Sequence, residues 1–337
     1  LMSSPISFQA IRIFEEDGKF VQRITERSTE DLPEGEVLIQ VHYSSLNYKD
    51  ALSASGNRGV TRNYPHTPGI DASGIVAAST NPDFKAGDPV VVTSYDLGMN
   101  TDGGFGEYIR VPAAWVLPLP ESLSLQEAMI YGTAGFTAAQ SFWELKVAGC
   151  KPENGPVLVT GAAGGVGSIA VRLLLNGGYE VAAVSGHDNG KALLKEFGVQ
   201  QILDREEAVD SGNRPLLKPQ WNGVIDNVGG LPLSTALKTT QPGGVITTCG
   251  NVAGAELSTT VFPFILRGLR LIGIDSQNCP YALRKQLWQH LATDWKLPNL
   301  KVGLKEVSME GMLNEIEPIL RSEVKGRIVL RHKVAED

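Results

Sequence analysis

Gly161-Ala162-Ala163-Gly164-Gly165-Val166-Gly167 decides how this chain is read. The run follows a short apolar segment, Pro156 to Thr160, and opens a stretch with helical spacing, Ile169 to Leu175. Strand, glycine-rich turn and helix, in that order, form the setting in which glycines cradle a dinucleotide pyrophosphate. Glycines let the backbone turn tightly and approach the phosphates, while the N–H groups at the helix start face the negative charge. A tight strand-to-helix turn without a ligand is the competing reading, and the context on both sides weighs against it.

Outward from this turn, strands and helices alternate. Strand candidates are Val157–Thr160, Val181–Val184, Gln201–Leu203, Gly223–Asp226, Val245–Thr248 and Leu269–Ile274. Helix candidates are Ser168–Asn176, Lys191–Phe197, Leu231–Thr239 and Val261–Arg267. Such alternation predicts an α/β unit with a parallel, doubly wound sheet. Ligands bind beyond the carboxyl ends of such strands, so Gly161, Ser185, Asp226 and Cys249-Gly250-Asn251 are expected to converge on one crevice.

The first third reads differently. Val37–Val41, Gly74–Ala77 and Pro89–Thr93 are short strands separated by turns such as Asn81-Pro82-Asp83 and Ala86-Gly87-Asp88-Pro89. Many short strands punctuated by Gly and Pro suggest a compact, barrel-like unit. Leu125–Tyr131 and Phe136–Leu145 read as helices with Gly132-Thr133-Ala134-Gly135 between them. After Ser276 the alternation stops: Tyr281–Trp295 reads as a helix, and the tail, with a strand at Arg327–Leu330, returns to the first domain. The expected division is therefore 1–124 completed by 296–337, and 125–295.

At 337 residues, 42% hydrophobic and 20% charged, the chain can bury a real core in two domains. A net charge of −7 argues against nucleic acid or an anionic membrane as the main partner. No apolar run approaches the roughly 18 residues that span a bilayer. Leu1-Met2-Ser3-Ser4 lacks a basic and then apolar signal pattern, and Leu1 ahead of Met2 reads as a remnant. Cys150, Cys249 and Cys279 are odd in number and far apart, which points to a reducing, cytoplasmic compartment.

The cofactor expectation follows from the second strand. An NAD site usually places Asp or Glu at that strand's end to bind the ribose 2′-OH. Here the end reads Ala183-Val184-Ser185-Gly186-His187, with Asp188 only later. A hydroxyl, a turn through Gly186, and His187 or Lys191 suit a 2′-phosphate, which calls for donors and positive charge. NADP is expected over NAD; a merely polar turn is the alternative.

The motif order then resembles a known family. A barrel-like first domain, Gly132-Thr133-Ala134-Gly135-Phe136-Thr137 and the Gly161–Gly167 turn resemble the medium-chain dehydrogenase/reductase superfamily. Asn47-Tyr48-Lys49-Asp50, Pro68-Gly69-Ile70-Asp71, Phe264-Ile265-Leu266-Arg267 and Gly273-Ile274-Asp275-Ser276 resemble its zinc-free, quinone oxidoreductase-like branch. Within it they are similar to the YhdH/YhfP subgroup, which includes acrylyl-CoA reductases. The resemblance spans nearly the whole chain and implies a GroES-like catalytic domain beside a Rossmann cofactor domain. Zinc-dependent relatives carry Cys where Asn47 stands and His-Glu where Ile70-Asp71 stand. The segment Asp96–Glu107 has no Cys for a structural zinc, and His42 and His66 alone make a poor site, so no metal is expected.

The resemblance further implies that Gly164, Gly165, Val166 and Gly167 bind the pyrophosphate, and Ser185, Gly186 and His187 the 2′-phosphate. The family often has a basic residue where His187 stands, with Lys191 a substitute. Asn227, Asn251, Ile265 and Ser276 would line the crevice, and Thr133 and Thr137 would approach the nicotinamide side. Without a metal, a conjugated acceptor is the easier substrate: hydride adds at the β-carbon, and donors stabilise the enolate oxygen. Asn47, Tyr48 and Asp50 are the candidates, because their loop takes the place of the lost metal ligand. Tyr48 either donates to that oxygen or packs against nicotinamide, Asp50 orients its neighbours, and turn hydrogen bonds are the plain alternative for each.

Arg327 is a candidate for a phosphate or CoA group, against a solvated charge at a strand start. A CoA ester calls for a basic patch, with Lys49, Arg58, Arg62 and Arg327 as its candidates. The apolar run Leu269–Ile274 is expected as the last strand of the sheet, an edge that invites pairing in a homodimer. The leading expectation is an NADPH-dependent reductase of an enone, enal or short acyl-CoA such as acrylyl-CoA. A quinone reductase is the alternative, and a nucleotide-binding protein with a structural or RNA-binding role is the non-enzyme alternative.

Overall fold

The computed structural model describes residues 4–336, so the signal-peptide and remnant readings of Leu1-Met2-Ser3 lie outside the described residues. Two compact units form: Leu1–Thr133 with Pro280–Ala292 and Asn299–Asp337, and Ala134–Cys279 with Thr293–Pro298. The division expected from the sequence gives Leu125–Thr133 and Tyr281–Ala292 to the sheet domain. In the structure both segments pack in the first unit.

The second unit holds six strands in the spatial order Gln201–Leu203, Val181–Val184, Val157–Val159, Trp221–Asp226, Thr240–Thr248, Arg270–Gly273. Numbered by chain order this is 3-2-1-4-5-6, and every pairing is parallel. That is the doubly wound order, whose direction reverses between the first and fourth strands. The strands Val157–Val159 and Val181–Val184 are buried throughout, because helices cover both faces of such a sheet. Leu158, Ala182, Val184, Val224, Leu233, Ala236, Leu237 and Ile246 share one core with Leu269. Each fully buried branched side chain there is worth about 1.5–3 kcal/mol. Arg270–Gly273 pairs on one side only and leaves Leu271 and Ile272 half-buried.

The first unit carries an antiparallel sheet. Leu304–Val307, Arg327–Arg331, Val37–Ser45, Asp71–Ser79, Pro89–Thr93 and Leu117–Pro118 lie side by side, and Tyr108–Val111 also pairs with Val37–Ser45. Its Leu304–Val307 pair with Arg327–Arg331 is the parallel exception. Val37, Ile39 and Val41 point into one core with Val90, Val92, Ile109 and Val111, the period-two spacing of a half-buried strand. The returning tail is as expected, since Val329 and Leu330 pair with Ser45 and Ser44.

A hairpin and a short helix are among the elements outside the sequence reading. Ser7–Glu16 and Lys19–Ser28 form a hairpin whose Asp17-Gly18 turn has φ of 52° and 74°. Asp-Gly between β-branched runs is a recognised hairpin signal. Tyr48–Ala54 is a short helix, not a loop, with Asn47 as its N-cap. The predicted break Gly132–Gly135 narrows to Gly132 alone (φ 53°, ψ −157°) within the helical stretch Leu125–Val147. The helix expected over Tyr281–Trp295 ends at Ala292, burying Arg284, Leu287, Trp288 and Leu291 at helical spacing. Among the described residues no helix is long and apolar enough to cross a membrane.

Candidate active site

In the second unit the site is built at the carboxyl ends of the central strands. Gly161 turns the chain at φ 56°, and Gly164 caps the helix Gly165–Asn176 without any side-chain hydrogen bond. A Cβ on Gly167 would lie 2.0 Å from the Gly161 carbonyl oxygen, so only glycine allows this tight approach. The first-turn N–H groups of that helix, which have no partner four residues back, are therefore uncapped donors beside the turn. The Ala162 N–H donates to Val184 O at 3.0 Å, tying the turn to the end of the second strand. This arrangement fits a dinucleotide pyrophosphate on Gly164, Gly165, Val166 and Gly167.

Ser185 is buried at the strand tip, Gly186 is exposed, and His187 is exposed as the N-cap of Asp188–Glu196. Lys191 is not the open cation expected there. It pairs with Asp204, and that bond raises the pKa of its ammonium. The sequence reading missed Arg205. A Cβ on Gly186 would come within 2.5 Å of Arg205 Nε, so the exposed guanidinium lies against Gly186. Arg205 follows the third strand, Gln201–Leu203, which neighbours the second, and only the sheet order reveals that adjacency.

Asp226 is inaccessible and does not open to the crevice, contrary to expectation. It accepts from Thr160 Oγ1 and Thr248 Oγ1, each at 2.8 Å, and from the Gly229 N–H at 3.0 Å. Burial raises its pKa against these donors. Asn227 spends its amide on Thr160 O at 2.8 Å and accepts from Cys249 Sγ at 3.2 Å. Burial and the nearby Asp226 push the Cys249 thiol up to about 12, so it stays protonated. Gly250 packs on Asn227, bringing exposed Asn251 to the same strand ends. Ser276 is half-buried beyond the last strand. Ile265, 67% exposed on the helix Phe262–Arg267, is not brought to the glycine turn by any described contact. Thr137 is buried, and its carbonyl accepts from Ser141 Oγ.

In the first unit, Asn47, Tyr48 and Asp50 share one helix start. The Asp50 carboxylate is fully buried and accepts from the N–H groups of Asn47 (2.8 Å), Gly69 (3.1 Å) and Ile70 (2.9 Å). Burial, with the Asp71 charge nearby, pushes it up to about 7 against those bonds. Asp50 thus orients the turn and is not open to a substrate. Tyr48 is 36% exposed, and its hydroxyl makes no hydrogen bond to another described residue. Thr133 is tied to Asp71 through its N–H (2.9 Å) and hydroxyl (2.5 Å), and meets Ser94 Oγ at 2.9 Å.

Arg327 departs from both sequence readings. It is 3% exposed and donates to the carbonyls of Ile130 (2.8 Å), Leu46 (3.2 Å) and Met129 (3.5 Å). Desolvation lowers its pKa, with Asp71 and Asp50 opposing. Arg58 pairs with Glu15 at 2.6 Å and lies over the Phe20 and Tyr64 rings. Neither arginine is available to a basic patch; Arg62 remains exposed.

A 3-2-1-4-5-6 parallel sheet with a glycine turn at the end of its first strand defines a dinucleotide-dependent enzyme fold, here joined to the β-rich first unit. Residues 33–121 match the family model described as the alcohol dehydrogenase GroES-like domain, and 165–293 that described as the zinc-binding dehydrogenase. The chain belongs to the quinone oxidoreductase-like family of the medium-chain dehydrogenases/reductases. It is 44% identical to Bacillus subtilis YhfP, which carries a quinone oxidoreductase name, over 96% of this chain and 98% of that one. It is 42% identical to the acrylyl-CoA reductase AcuI of Ruegeria pomeroyi, over 94% and 96%.

Two solved structures align over nearly the full length. The Salmonella enterica yhdH oxidoreductase in complex with NADP has a TM-score of 0.92 at 42% identity, covering 96% of this chain and 99% of that one. YhfP with NAD bound has a TM-score of 0.93 at 43% identity, covering 97% and 99%. Zinc, which the second domain's description implies, does not fit these residues. No three His, Cys, Asp or Glu among the described residues are grouped to hold a metal ion.

Proposed function

We propose that this protein is a zinc-independent, NADPH-dependent reductase of conjugated carbonyls, with a short enoyl thioester such as acrylyl-CoA as substrate. The observation that carries the reading is the unpartnered Tyr48 hydroxyl beside the anchored Asn47. A phenol is a neutral donor suited to an oxygen that gains negative charge only as hydride arrives. The 42% identity to an acrylyl-CoA reductase supports the same substrate class.

The N–H groups of Gly165, Val166 and Gly167 hold the pyrophosphate, and Ser185, Gly186 and Arg205 hold the 2′-phosphate. His187 flanks that phosphate at the helix cap. Arg205 favours NADP because a free guanidinium recognises phosphate in fork geometry. NADPH supplies a hydride when bound. The hydride forms a C–H bond at the β-carbon, the π electrons move onto the carbonyl oxygen, and Tyr48 donates to that oxygen. A proton then closes the α-carbon. Asn227 and Asn251 form the wall of the cofactor site, and the buried Asp226 holds that wall in place.

A homodimer through Arg270–Gly273 accompanies this reading. Val261, Phe262, Ile265 and Leu266 expose a contiguous apolar run just before that open strand, and such surfaces mark interaction sites. The free thiols of Cys150 and Cys249 suit a reducing cytoplasm. The quinone oxidoreductase name of YhfP keeps quinone as the second reading.

Initial rates of NADPH oxidation with acrylyl-CoA, a benzoquinone and a simple enal separate these readings. The expected result is fast turnover of the thioester, lost about 10–100-fold in Tyr48→Phe with NADPH affinity unchanged. Turnover of quinone with little thioester activity would favour the second reading. Retention of RNA by the protein in low salt, without turnover of any acceptor, would replace both with the non-enzyme alternative.

A further inference from the structure

We propose that Asp71 is the positioning residue of the acceptor side: it fixes the side-chain amide of Asn47 with nitrogen inward, leaving the amide oxygen as the atom open to a ligand. This rests on the reading of Asn47 as part of that site. Asn47 Nδ2 lies 2.8 Å from Asp71 Oδ2, its one short contact, and farther from Asp50 Oδ2 (3.4 Å) and Ser45 O (3.5 Å). All three neighbours are acceptors, and a carboxylate offers no hydrogen to an amide oxygen. The amide therefore has one admissible orientation: its Oδ1 faces the Asp50 N–H in a capping box, and its second lone pair is left for a ligand. Asn47 recognises a donor on cofactor or substrate, such as a hydroxyl or amide N–H. It is not a donor to the developing oxyanion, which leaves that task to Tyr48.

Asp71 can do this because its own position is over-determined. Its carboxylate also accepts from Ser45 Oγ (2.7 Å), Thr133 Oγ1 (2.5 Å) and the Thr133 N–H. It lies at the Gly132 break, where a Cβ would meet Asp71 Oδ2 at 2.5 Å and Arg327 Nη2 at 2.8 Å. Arg327 satisfies the carbonyls that end the first half of the helical stretch, and Asp71 the N–H that starts the second. A buried carboxylate and a buried guanidinium thus face the two helix ends whose dipoles they complement. The charge on Asp71 is balanced by a group spent on backbone carbonyls, so it stays directed at its donors.

A double-mutant cycle tests this. Asn47→Ala, Asp71→Asn and the double variant are compared for kcat and KM on the enoyl thioester and, separately, for NADPH affinity by fluorescence titration. Asn47→Ala should lower kcat/KM about tenfold or more. Asp71→Asn should lower it comparably, and the double variant should match Asn47→Ala within about twofold. Losses that multiply would overturn the inference while leaving the proposed function standing. Wild-type rates in Asn47→Ala would overturn the reading of Asn47 and this inference with it.

Should Asp71→Asn not accumulate as folded protein, Asn47→Asp carries the test. It sets a carboxylate against Asp71, so its melting temperature should fall well below that of Asn47→Ala. Equal melting temperatures for Asn47→Asp and Asn47→Ala overturn the pairing.

Discussion

Arg205 and Lys191 flank the same strand end in different electrical states. Lys191 is neutralised by Asp204, whereas Arg205 makes no ion pair with a described residue, so only Arg205 is unspent when a phosphate arrives. Arg205→Ala should weaken NADPH binding about 10–100-fold and leave NADH within about twofold, as fluorescence titration would read. Equal losses for both cofactors would remove Arg205 from the 2′-phosphate. A second residue-scale consequence concerns acid. His332 is buried, donates from Nε2 to Gly104 O at 2.8 Å, and is pushed by burial to about 4. Between pH 4 and its ordinary 6.5 the unfolded chain takes up a proton that the folded protein refuses. Stability from this group is therefore complete above 6.5 and lost as pH falls toward 4, by up to ~3 kcal/mol. Asp50, raised to about 7, opposes it: its contribution is complete below 3.8 and lost as pH rises to 7. Against wild type, His332→Gln should lose less stability on acidification from pH 7 to 4.5, measured by urea unfolding. Parallel pH curves for the two proteins would contradict the assignment.

Among the elements, the helical stretch Leu125–Val147 depends on its break. Gly132 combines φ 53° with ψ −157°, a region open essentially to glycine, and its missing Cβ makes room for Asp71, Ser45 and Arg327. Gly178 has φ 84° but open space around it. Gly132→Ala should therefore destabilise by at least ~2 kcal/mol and by more than Gly178→Ala, which isolates backbone strain; equal losses in thermal unfolding would deny the break its packing role. The same element shows what a linear chain discloses. Gly132-Thr133-Ala134-Gly135 announced an interruption, because small residues between two helical patterns weaken a helix. That the break is a single residue capped by Asp71 from 62 positions away was not legible, since no local spacing records such a partner. The strand Val181–Val184 was legible to the residue as an unbroken apolar run, and Gln201–Leu203 from its place in the alternation of strands and helices. Arg205 was not, because its nearness to Gly186 is created by the order of the sheet. The Asp17-Gly18 hairpin was legible in principle and overlooked, and the Tyr48–Ala54 helix is too short for periodicity to declare itself.

For the whole molecule, the edge of the parallel sheet and the apolar run ahead of it argue for assembly. Ile265 was read as a wall of the cofactor crevice, yet at 67% exposure it suits the face of a partner copy better. Light scattering at micromolar concentration should give a dimer for wild type and a monomer for Ile265→Asp, because a buried unpaired carboxylate is costly. A wild-type monomer would end the dimer proposal without touching the chemistry. That chemistry reduces to one assertion: hydride goes to the β-carbon of a conjugated thioester, and a solvent-derived proton to its α-carbon. The measurement that tests it most directly is a single turnover of acrylyl-CoA with NADPH deuterated at the transferred position, followed by mass and proton spectra of the product. The expected product is a saturated thioester with one deuterium at the β-carbon and none at the α-carbon. Deuterium at the carbonyl carbon, or an unlabelled product, would contradict the assertion.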